Sequence, residues 1–357
     1  MSNDHDHRLI GQRQDLFHLQ EEAPGAVFWH PRGWTLLRIL EHRVRLLMER
    51  EGFQEVRTPQ VLAAPVWQAS GHLEHFAAGM FKLEDEGRLF ALKPASCPGH
   101  IQVALRAALS YRDLPYRLGE FGLVHRNEPS GAVQGLFRLR QFTQDDGHIF
   151  CRPEQVFEEV AGFCHSLRAF YAEFGFEKVE VGFSTRPQSR VGSDQDWDRA
   201  ERVLEEAARK AGIELALQPG QGAFYGPKLE FSLRDRMDRA WQCGTIQLDL
   251  AMPERFGLDY VEAGGERRRP ALLHRAVFGS LERFLGVLLE HHSGCLAPWL
   301  APEQVVVAPI ADAQGDYARE VGGLLRRAGL RVRVDTRGES VGRKVRDAHG
   351  LGVPLMV

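Results

Sequence analysis

The sequence predicts an α+β fold followed by a small α/β domain at the C-terminal end. Two stretches, 121–150 and 220–250, each contain a strand pattern, a turn region and a second strand pattern, which indicates β-hairpins. Amphipathic helical patterns lie before and between these hairpins. Beyond residue 304, strands and helices alternate as βαβαβ, which is typical of a small α/β domain.

Composition is that of an ordinary globular chain. With 357 residues, 43% hydrophobic and 26% charged, it is long enough for one large domain and a small one. It has no apolar run near the ~20 residues of a membrane span, and its first residues lack the apolar core of a secretory signal. Five cysteines at irregular spacings argue against a disulfide framework and predict a cytoplasmic protein. A formal charge of −3 means that a nucleic-acid partner would need a local basic patch.

The first predicted elements are a polar tail and a helix. Residues 1–14 are predicted as a polar tail, with disorder at Asp4–His7. A helix is predicted over Trp34–Arg50 from the apolar repeat of Leu37, Leu40, Val44 and Leu47. This periodicity fits a surface helix and an interface helix equally.

The hairpin over 121–150 is expected to hold the chemistry. Its first strand ends near His125, a loop spans Pro129 to Gly135, and the chain is extended again from Phe137. Because side chains alternate along a strand, one face of the second strand carries an almost entirely polar set, namely Phe142, Gln144, Asp146 and His148. Such a set is costly to bury unpaired, so it is expected to meet solvent or a polar ligand.

Charged residues around this face favour the ligand interpretation. Arg126, Glu128, Arg138 and Arg140 lie in and beside the loop. Guanidinium groups bind phosphate or carboxylate, an aromatic ring stacks on a base, and a carboxylate accepts from an exocyclic amine. The combination therefore suits a nucleotide, although an exposed sheet face explains the alternation alone.

Single residues elsewhere have ordinary explanations when taken alone. Cys97 follows the predicted strand Arg88–Leu92 on a rigid loop bracketed by prolines and glycine, and a buried free cysteine is common. His72 and His75 lie in the segment Trp67–Phe81, where a surface histidine is the ordinary outcome.

The remaining elements follow in order. Helices are predicted over 153–176, 194–212 and 281–291, and strands over 178–184, 241–250 and 271–278. Arg283 lies in the first turn of the helix 281–291, behind small residues that permit close backbone approach. After the linker 298–302, strands are predicted over 305–309, 330–335 and 353–357, with helices over 316–328 and 340–349.

HRNEPSG, followed by RLRQFTQDDGHIFC, resembles the second signature motif of class II aminoacyl-tRNA synthetases of the threonyl type. The resemblance extends from about Asp15 to Val357. It implies an antiparallel sheet flanked by helices over 15–298 and a partial anticodon-binding α/β domain over 299–357. It also implies ATP-dependent activation of L-threonine, transfer to threonine tRNA, and a homodimer built on the helix 34–50 and the segment 52–59.

The resemblance assigns the nucleotide and amino-acid contacts. Arg126 would bridge the carboxylate and the α-phosphate, Arg138 and Arg283 would bind the γ-phosphate, and Mg²⁺ would accompany ATP. Phe142 would stack under adenine and Glu128 would accept from its amino group. Further contacts to threonine, the α-phosphate and adenosine would come from Gln144, Tyr225, Lys228, Gln242 and Gln247. His72 would assist transfer to the tRNA 3′ end.

The resemblance also implies one Zn²⁺ per subunit, held by Cys97, His148 and His274. These residues are 51 and 126 positions apart, so no local zinc rule finds them. One cysteine and two histidines form a proper zinc set with a fourth position open for substrate. The metal would bind the amino group and hydroxyl of threonine, with Asp146 accepting from that hydroxyl. Valine, which has no hydroxyl, would not make these contacts, whereas serine would.

Editing and the acceptor are separate expectations. Full-length bacterial members of the family carry N-terminal domains, one of which hydrolyses seryl-tRNA. Here Met1 lies only a short tail before the catalytic region, so we expect no editing in cis and detectable serine mischarging.

Two alternatives remain open. The chain could be a paralogue that makes threonyl-adenylate for a carrier protein or small molecule, or a backup synthetase that tolerates an inhibitor. Ala95 and Ser96, where the family usually has Met-Asn, fit either interpretation. A non-enzymatic partner subunit is disfavoured, because a silent relative would be expected to lose at least one of the retained residues Arg126, Arg283, Cys97, His148 and His274.

Overall fold

The structure is a computed structural model that describes residues 5–357. The helices in chain order are α1 (His7–Arg13), α2 (Pro31–Arg50), α3 (Ala64–Ala69), α4 (His72–His75), α5 (Cys97–Ala107), α6 (Val156–Ala172), α7 (Asp194–Lys210), α8 (Met252–Arg255), α9 (Leu281–His291), α10 (Gly315–Arg327) and α11 (Val341–Gly350).

The strands in chain order are β1 (Phe17–His18), β2 (Phe28–Trp29), β3 (Gln54–Glu55), β4 (Val61–Ala63), β5 (Lys82–Asp85), β6 (Arg88–Leu92), β7 (Tyr116–His125), β8 (Gln141–Cys151), β9 (Val179–Ser184), β10 (Leu215–Gln218), β11 (Lys228–Arg234), β12 (Ala240–Asp249), β13 (Tyr260–Val261), β14 (Arg267–Arg268), β15 (Ala271–Ser280), β16 (Val305–Val307), β17 (Val332–Val334) and β18 (Leu355–Met356).

An eight-stranded sheet organises the larger part of the described chain, in the order β10-β9-β11-β12-β15-β8-β7-β3. Its central pairings are antiparallel, and the edge pairs β10 with β9 and β3 with β7 are parallel. Helices α6 and α9 contribute buried apolar residues such as Phe163, Leu167 and Phe284 to the main core. The predicted α+β fold with an antiparallel sheet flanked by helices is confirmed.

The register of the three central strands positions the polar residues. Gln247 of β12 pairs with His274 of β15, and His274 pairs in turn with His148 of β8. On the other side of β8, Leu118 of β7 pairs with His148. Side chains at paired positions lie on the same face of a sheet, so residues far apart in sequence form one row.

Both predicted hairpins are present, but their strand limits differ from the predictions. The first strand ends at His125 and the second begins at Gln141, so the predicted extended conformation of 137–140 is wrong. In the second hairpin, the first strand begins at Lys228. Cys97 was also misplaced, since it lies at the first position of α5 and not on a loop.

The polar tail predicted over 1–14 is wrong for the residues from His7 onward. They form α1, in which His7 is 2% exposed and Ile10 is fully buried against the main core. Asp6 caps the helix by accepting from the Arg8 backbone N–H. Residues 1–4, where the predicted disorder begins, lie outside the described residues.

The C-terminal segment forms the predicted βαβαβ unit. Its three strands are parallel in the order β17-β16-β18, and α10 and α11 connect them. Arg32 of α2 reaches this unit, donating to the Leu351 carbonyl at 2.6 Å and pairing with Glu303 at 2.9 Å. Within residues 5–357, no helix combines the length and the apolarity that crossing a membrane requires.

Candidate active site and metal centre

A cavity of about 310 Å³ lies over the central strands β8, β12 and β15. It is bounded at one end by the start of α5 and at the other by the loop 126–140 and the start of α9. Nearly all of the predicted site residues line it, namely Cys97, Arg126, Glu128, Arg138, Phe142, Gln144, Asp146, His148, Tyr225, Lys228, Gln242, Gln247, His274 and Arg283. His72 is the predicted site residue that is not among its lining residues.

One end of the cavity brings together three possible metal ligands. Cys97, His148 and His274 each offer one atom, and these atoms all lie within 4.8 Å of one another. The two imidazoles approach most closely between Nε2 of His148 and Nδ1 of His274, at 2.9 Å. A thiol and two imidazoles converging on one point fit Zn²⁺, whose protein ligands are of these types.

Outer partners orient both histidine rings. Nε2 of His274 lies 2.8 Å from Oδ2 of Asp249, a carboxylate that only accepts, so this nitrogen carries the proton and Nδ1 keeps its lone pair. Nδ1 of His148 lies 2.8 Å from Nδ1 of His100, whose Nε2 lies 3.2 Å from Glu120. If Nε2 of His100 donates to Glu120, then Nδ1 of the neutral His100 ring accepts from Nδ1 of His148. The proton of His148 is then on Nδ1, and its Nε2 keeps its lone pair. Both free nitrogens are the ones that face each other, as metal ligation requires.

Burial controls the protonation of His148 and Cys97. It lowers the pKa of His148 well below the ordinary value, so this imidazole is neutral near pH 7. Burial, together with the carboxylates of Asp146 and Asp249, raises the pKa of the Cys97 thiol well above its ordinary value. A thiolate is therefore expected here only beside a cation.

Acceptors near this end of the cavity are available to a ligand. Asp146 accepts from the Ser96 backbone N–H at 3.1 Å through Oδ2, while its Oδ1 lies 3.9 Å from Nε2 of His148. The Oε1 of Gln144 is buried and has no hydrogen-bond partner among residues 5–357. Because buried polar atoms are nearly always bonded, this atom indicates a missing donor.

The other end of the cavity carries two partly buried arginines. Arg126 donates to the Pro94 carbonyl at 3.2 Å and stacks its guanidinium 5.2 Å from the centre of the Phe142 ring. Arg283 donates to the carbonyls of Phe137 and Gln242, at 2.8 and 3.1 Å.

Neither guanidinium forms an ion pair within the part of the chain that the structure describes. Burial lowers the pKa of both Arg126 and Arg283. Cations that are largely removed from water without a counter-charge are costly, so this end of the cavity suits an anionic ligand.

Two further predicted cations are paired within the protein. Arg138 lies 2.9 Å from Glu128 and its side chain is 54% exposed, so this pair lies at the rim of the cavity. Lys228 lies 2.7 Å from Glu230 on its own strand. A ligand that used either cation would have to compete with a carboxylate.

His72 is buried, contrary to the ordinary surface interpretation, with 8% exposed. Its Nδ1 lies 2.8 Å from the Ser70 hydroxyl oxygen. Burial first, and the nearby charges of His274 and Arg126 next, lower its pKa to about 4. The ring is therefore neutral near pH 7.

The sequence interpretation missed the outer partners Asp249, His100, Glu120 and Lys93. Signals for two of them exist: Asp249 shares a strand face with Gln247 by alternation, and His100 lies one helical turn after Cys97. Glu120 and Lys93 form a buried ion pair at 2.7 Å, which local sequence patterns do not reveal.

Family models match most of the chain. The model described as "tRNA synthetase class II core domain (G, H, P, S and T)" matches residues 81–292. The model described as "Anticodon binding domain" matches residues 304–357.

Individual relatives agree with these matches. The threonine--tRNA ligases of Alkalilimnicola ehrlichii and Methylococcus capsulatus are 52% and 53% identical over 352 residues. These alignments cover 99% of this chain and 55% of each relative, so the chain spans about half the length of these curated relatives. A solved structure from Cryptosporidium parvum, described as the RNA binding domain of threonyl-tRNA synthetase, is 41% identical with a TM-score of 0.95. That alignment covers 98% of this chain and 88% of the solved chain.

Proposed function

Because the chain belongs to the threonyl-tRNA synthetase family of class II aminoacyl-tRNA synthetases, we propose that it activates L-threonine with ATP and transfers it to threonine tRNA. The observation that carries the proposal is a single cavity with two ends of different chemistry. One end has ligand atoms of Cys97, His148 and His274 within 4.8 Å of one another, and the other has the partly buried cations Arg126 and Arg283.

In the first step, a carboxylate oxygen of threonine attacks the α-phosphorus of ATP. The bond from this phosphorus to the oxygen that bridges it to the β-phosphate breaks, and pyrophosphate leaves with that electron pair. Arg126 bridges the carboxylate and the α-phosphate, which lowers the repulsion between two anions and offsets developing charge. Its burial without a carboxylate partner supports this role.

The nucleotide is held by the loop 126–140 and its neighbours. Phe142 stacks under adenine, Glu128 accepts from the adenine amino group, and Arg138 and Arg283 bind the γ-phosphate. Gln242 contacts adenosine, and Lys228 leaves Glu230 for the α-phosphate. Mg²⁺ accompanies ATP and offsets part of the polyphosphate charge when it is bound.

Threonine is recognised at the other end of the cavity. Cys97, His148 and His274 would hold Zn²⁺, which when bound supplies a Lewis acid for the amino group and hydroxyl of the substrate. Asp146 accepts the hydroxyl hydrogen through Oδ1, and Gln144 accepts from the amino group through its unpaired Oε1. Tyr225 and Gln247 complete the pocket. Valine is rejected because it has no hydroxyl, which leaves Oδ1 of Asp146 without its donor.

In the second step, a ribose hydroxyl of the terminal tRNA adenosine attacks the threonyl carbonyl carbon, and AMP leaves. His72 would accept the hydroxyl proton, because burial keeps its ring neutral near pH 7. The segment 304–357 would contact the anticodon region, consistent with the family model that it matches.

A homodimer in the cytoplasm is also proposed. Helix α2 supports the dimer, because Trp34 is 49% exposed and Leu46 is 40% exposed along its outer side. Helix α2 is also the element that the resemblance assigns to the dimer contact, and such a contact would cover these side chains.

The test is threonine-dependent exchange of pyrophosphate into ATP, followed by charging of threonine tRNA. Arg126→Met should lower the exchange rate by about 100-fold or more, the usual effect of removing a main electrostatic contact. Arg234→Met, which removes an exposed arginine paired with Glu180, is the matched control and should exchange normally. Exchange without charging would favour a non-tRNA acceptor, and no exchange with zinc present would refute the proposal.

A further inference from the structure

His7, at the start of α1, connects two parts of the nucleotide end of the cavity. It is 2% exposed and lies between α9, which carries Arg283, and the loop 126–140. Helix α1 precedes residues 81–292, which the class II core model matches, and it is not part of the cavity lining.

Two side-chain hydrogen bonds define the connection, and the His7 backbone N–H also donates to Oε1 of Glu290 at 3.2 Å. Nδ1 of His7 lies 2.7 Å from Oε1 of Glu290 in α9. The backbone N–H of Leu136 donates to Nε2 of His7 at 2.9 Å. Because Nε2 accepts, the neutral ring carries its proton on Nδ1 and donates it to Glu290. A single side chain therefore satisfies one partner in each element.

The loop is shaped to approach this ring. Gly135 has a φ of +48°, and a Cβ at that position would lie 2.2 Å from Nε2 of His7. Only glycine adopts this conformation readily and leaves room for the imidazole. The His7 ring also packs against Phe137, with centroids 4.3 Å apart.

Phe137, which follows Leu136 in the loop, connects the His7 contact to the cavity. The Phe137 carbonyl accepts from Nε of Arg283 at 2.8 Å, and the Phe137 ring stacks on Trp241 with centroids 3.9 Å apart. Leu136 and Phe137 both line the cavity. The Glu290 carboxylate, which anchors His7, is itself held by an ion pair with Arg239.

We propose that His7 is a positioning residue for ATP: it ties the loop at Leu136 to α9, so that the Phe137 carbonyl holds the Arg283 guanidinium facing the polyphosphate. This inference rests on the proposed function. It predicts an effect on nucleotide binding and none on the amino-acid end, because both side-chain hydrogen bonds of His7 go to the loop and α9.

The experiment measures the dissociation constant of Mg-ATP by titration calorimetry, and the KM values for ATP and threonine by pyrophosphate exchange. His7→Phe keeps the ring but removes both hydrogen bonds, and should weaken ATP binding about tenfold. The threonine KM should stay within about twofold. His7→Gln has one donor and one acceptor and should restore most of the affinity.

Gln14→Ala is the matched control for docking of α1. Gln14 is buried and donates to the Gly294 carbonyl at 2.8 Å, at the far end of α1 from the loop. This variant should lower Tm but leave ATP affinity within about twofold.

Equal ATP affinity in His7→Phe and the unmodified chain would overturn the inference, as would an equal loss in Gln14→Ala. If the unmodified chain itself bound no ATP, the proposed function would fail, and this inference with it.

Discussion

At the residue scale, the proposed zinc site at one end of the cavity depends on which nitrogen of each histidine carries a proton. Asp249 holds the proton on Nε2 of His274, and its other oxygen accepts from the backbone N–H groups of Ala251 and Met252. Those backbone bonds fix the carboxylate, so it cannot rotate away from the ring. The hydrogen-bonding capacity of Asp249 thus decides whether His274 can be a ligand.

Asp249→Asn should weaken zinc binding by about 10- to 100-fold, the usual effect of removing an outer partner. The amide oxygen can still accept from the backbone, which turns the NH₂ group toward Nε2 of His274 and forces the proton onto Nδ1. The measurement is zinc affinity by chelator competition. The control is Asp113→Asn, at an exposed carboxylate that accepts from the Ser110 hydroxyl. This variant should bind zinc normally.

Unchanged zinc affinity in Asp249→Asn, with Cys97→Ser still losing the metal, would show that the tautomer of His274 is set by something other than Asp249.

A second residue-scale feature is the buried charge pair behind His148. Burial alone would raise the pKa of Glu120, but hydrogen bonds from His100, Lys93 and Thr58 lower it from 4.5 to about 2. A carboxyl with a depressed folded pKa stabilises the fold above its unfolded value, and this stability is lost as pH falls. The affected range is therefore from pH 4.5 down to about 2.

The free energy of unfolding should fall more steeply between these pH values in the unmodified chain than in Lys93→Met/Glu120→Gln. The double variant removes both charges, so neither is left buried and unpaired. Urea unfolding followed by circular dichroism at a series of pH values is the measurement. Parallel profiles for the two proteins would contradict the assignment to Glu120.

At the element scale, an irregularity in β15 positions Arg283. The pairing of β15 with β8 shifts register between Ala276 and Ser280. At the shift, the Asp145 carboxylate accepts from the backbone N–H groups of Val277 and Phe278 at 2.7 and 3.0 Å, replacing strand hydrogen bonds. Ser280 then caps α9 by accepting from the Arg283 N–H, so the bulge and the cap together begin the helix beside the cavity.

Gly279→Ala should raise the KM for ATP and destabilise the fold by about 1–3 kcal/mol. Gly279 has a φ of +71°, and a Cβ there would lie 2.5 Å from the Cys243 carbonyl oxygen, so the chain must shift just before Arg283. Urea unfolding and pyrophosphate exchange measure the two effects. Gly264→Ala, where a Cβ would meet open space, is the control.

An unchanged KM for ATP in a folded Gly279→Ala protein would show that the bulge does not determine the position of Arg283.

At the scale of the whole molecule, the proposed threonine pocket takes its groups from α5, β8 and β15. With Zn²⁺ bound there, the proposed pocket would select a β-hydroxyl by coordination and hydrogen bonding. Such a site rejects an analogue without the hydroxyl strongly, whereas a missing methyl is worth only about 1–3 kcal/mol. Valine and serine should therefore behave very differently.

In pyrophosphate exchange, the ratio of kcat/KM for threonine over serine should be well below about 10⁴, and the ratio over valine should be larger. A chelator that removes zinc should reduce the preference for threonine over valine. The control is to add zinc back and measure the exchange rates again, which should restore the preference for threonine over valine. A chain that separated threonine from serine by more than about 10⁴ would contradict the pocket chemistry proposed here.

Local patterns in the sequence were enough for the elements whose signal is periodic. The alternation Phe142, Gln144, Asp146, His148 identified one polar strand face, and those side chains do line a single cavity. The βαβαβ order after residue 304 was likewise predicted, because the spacing of apolar residues differs between its strands and its helices. The motif HRNEPSG pointed to the family that the comparisons support.

Only the tertiary structure decided which distant residues meet. Strand register brings His148 and His274 together, and the packing of α5 adds Cys97. The same holds for α1. Its polar composition led to the prediction of a tail, although His7 forms a hydrogen bond with Glu290, which is distant in the sequence. The physical reason is that periodicity records which face of an element is buried, whereas partners across a sheet or between helices are chosen by register and packing.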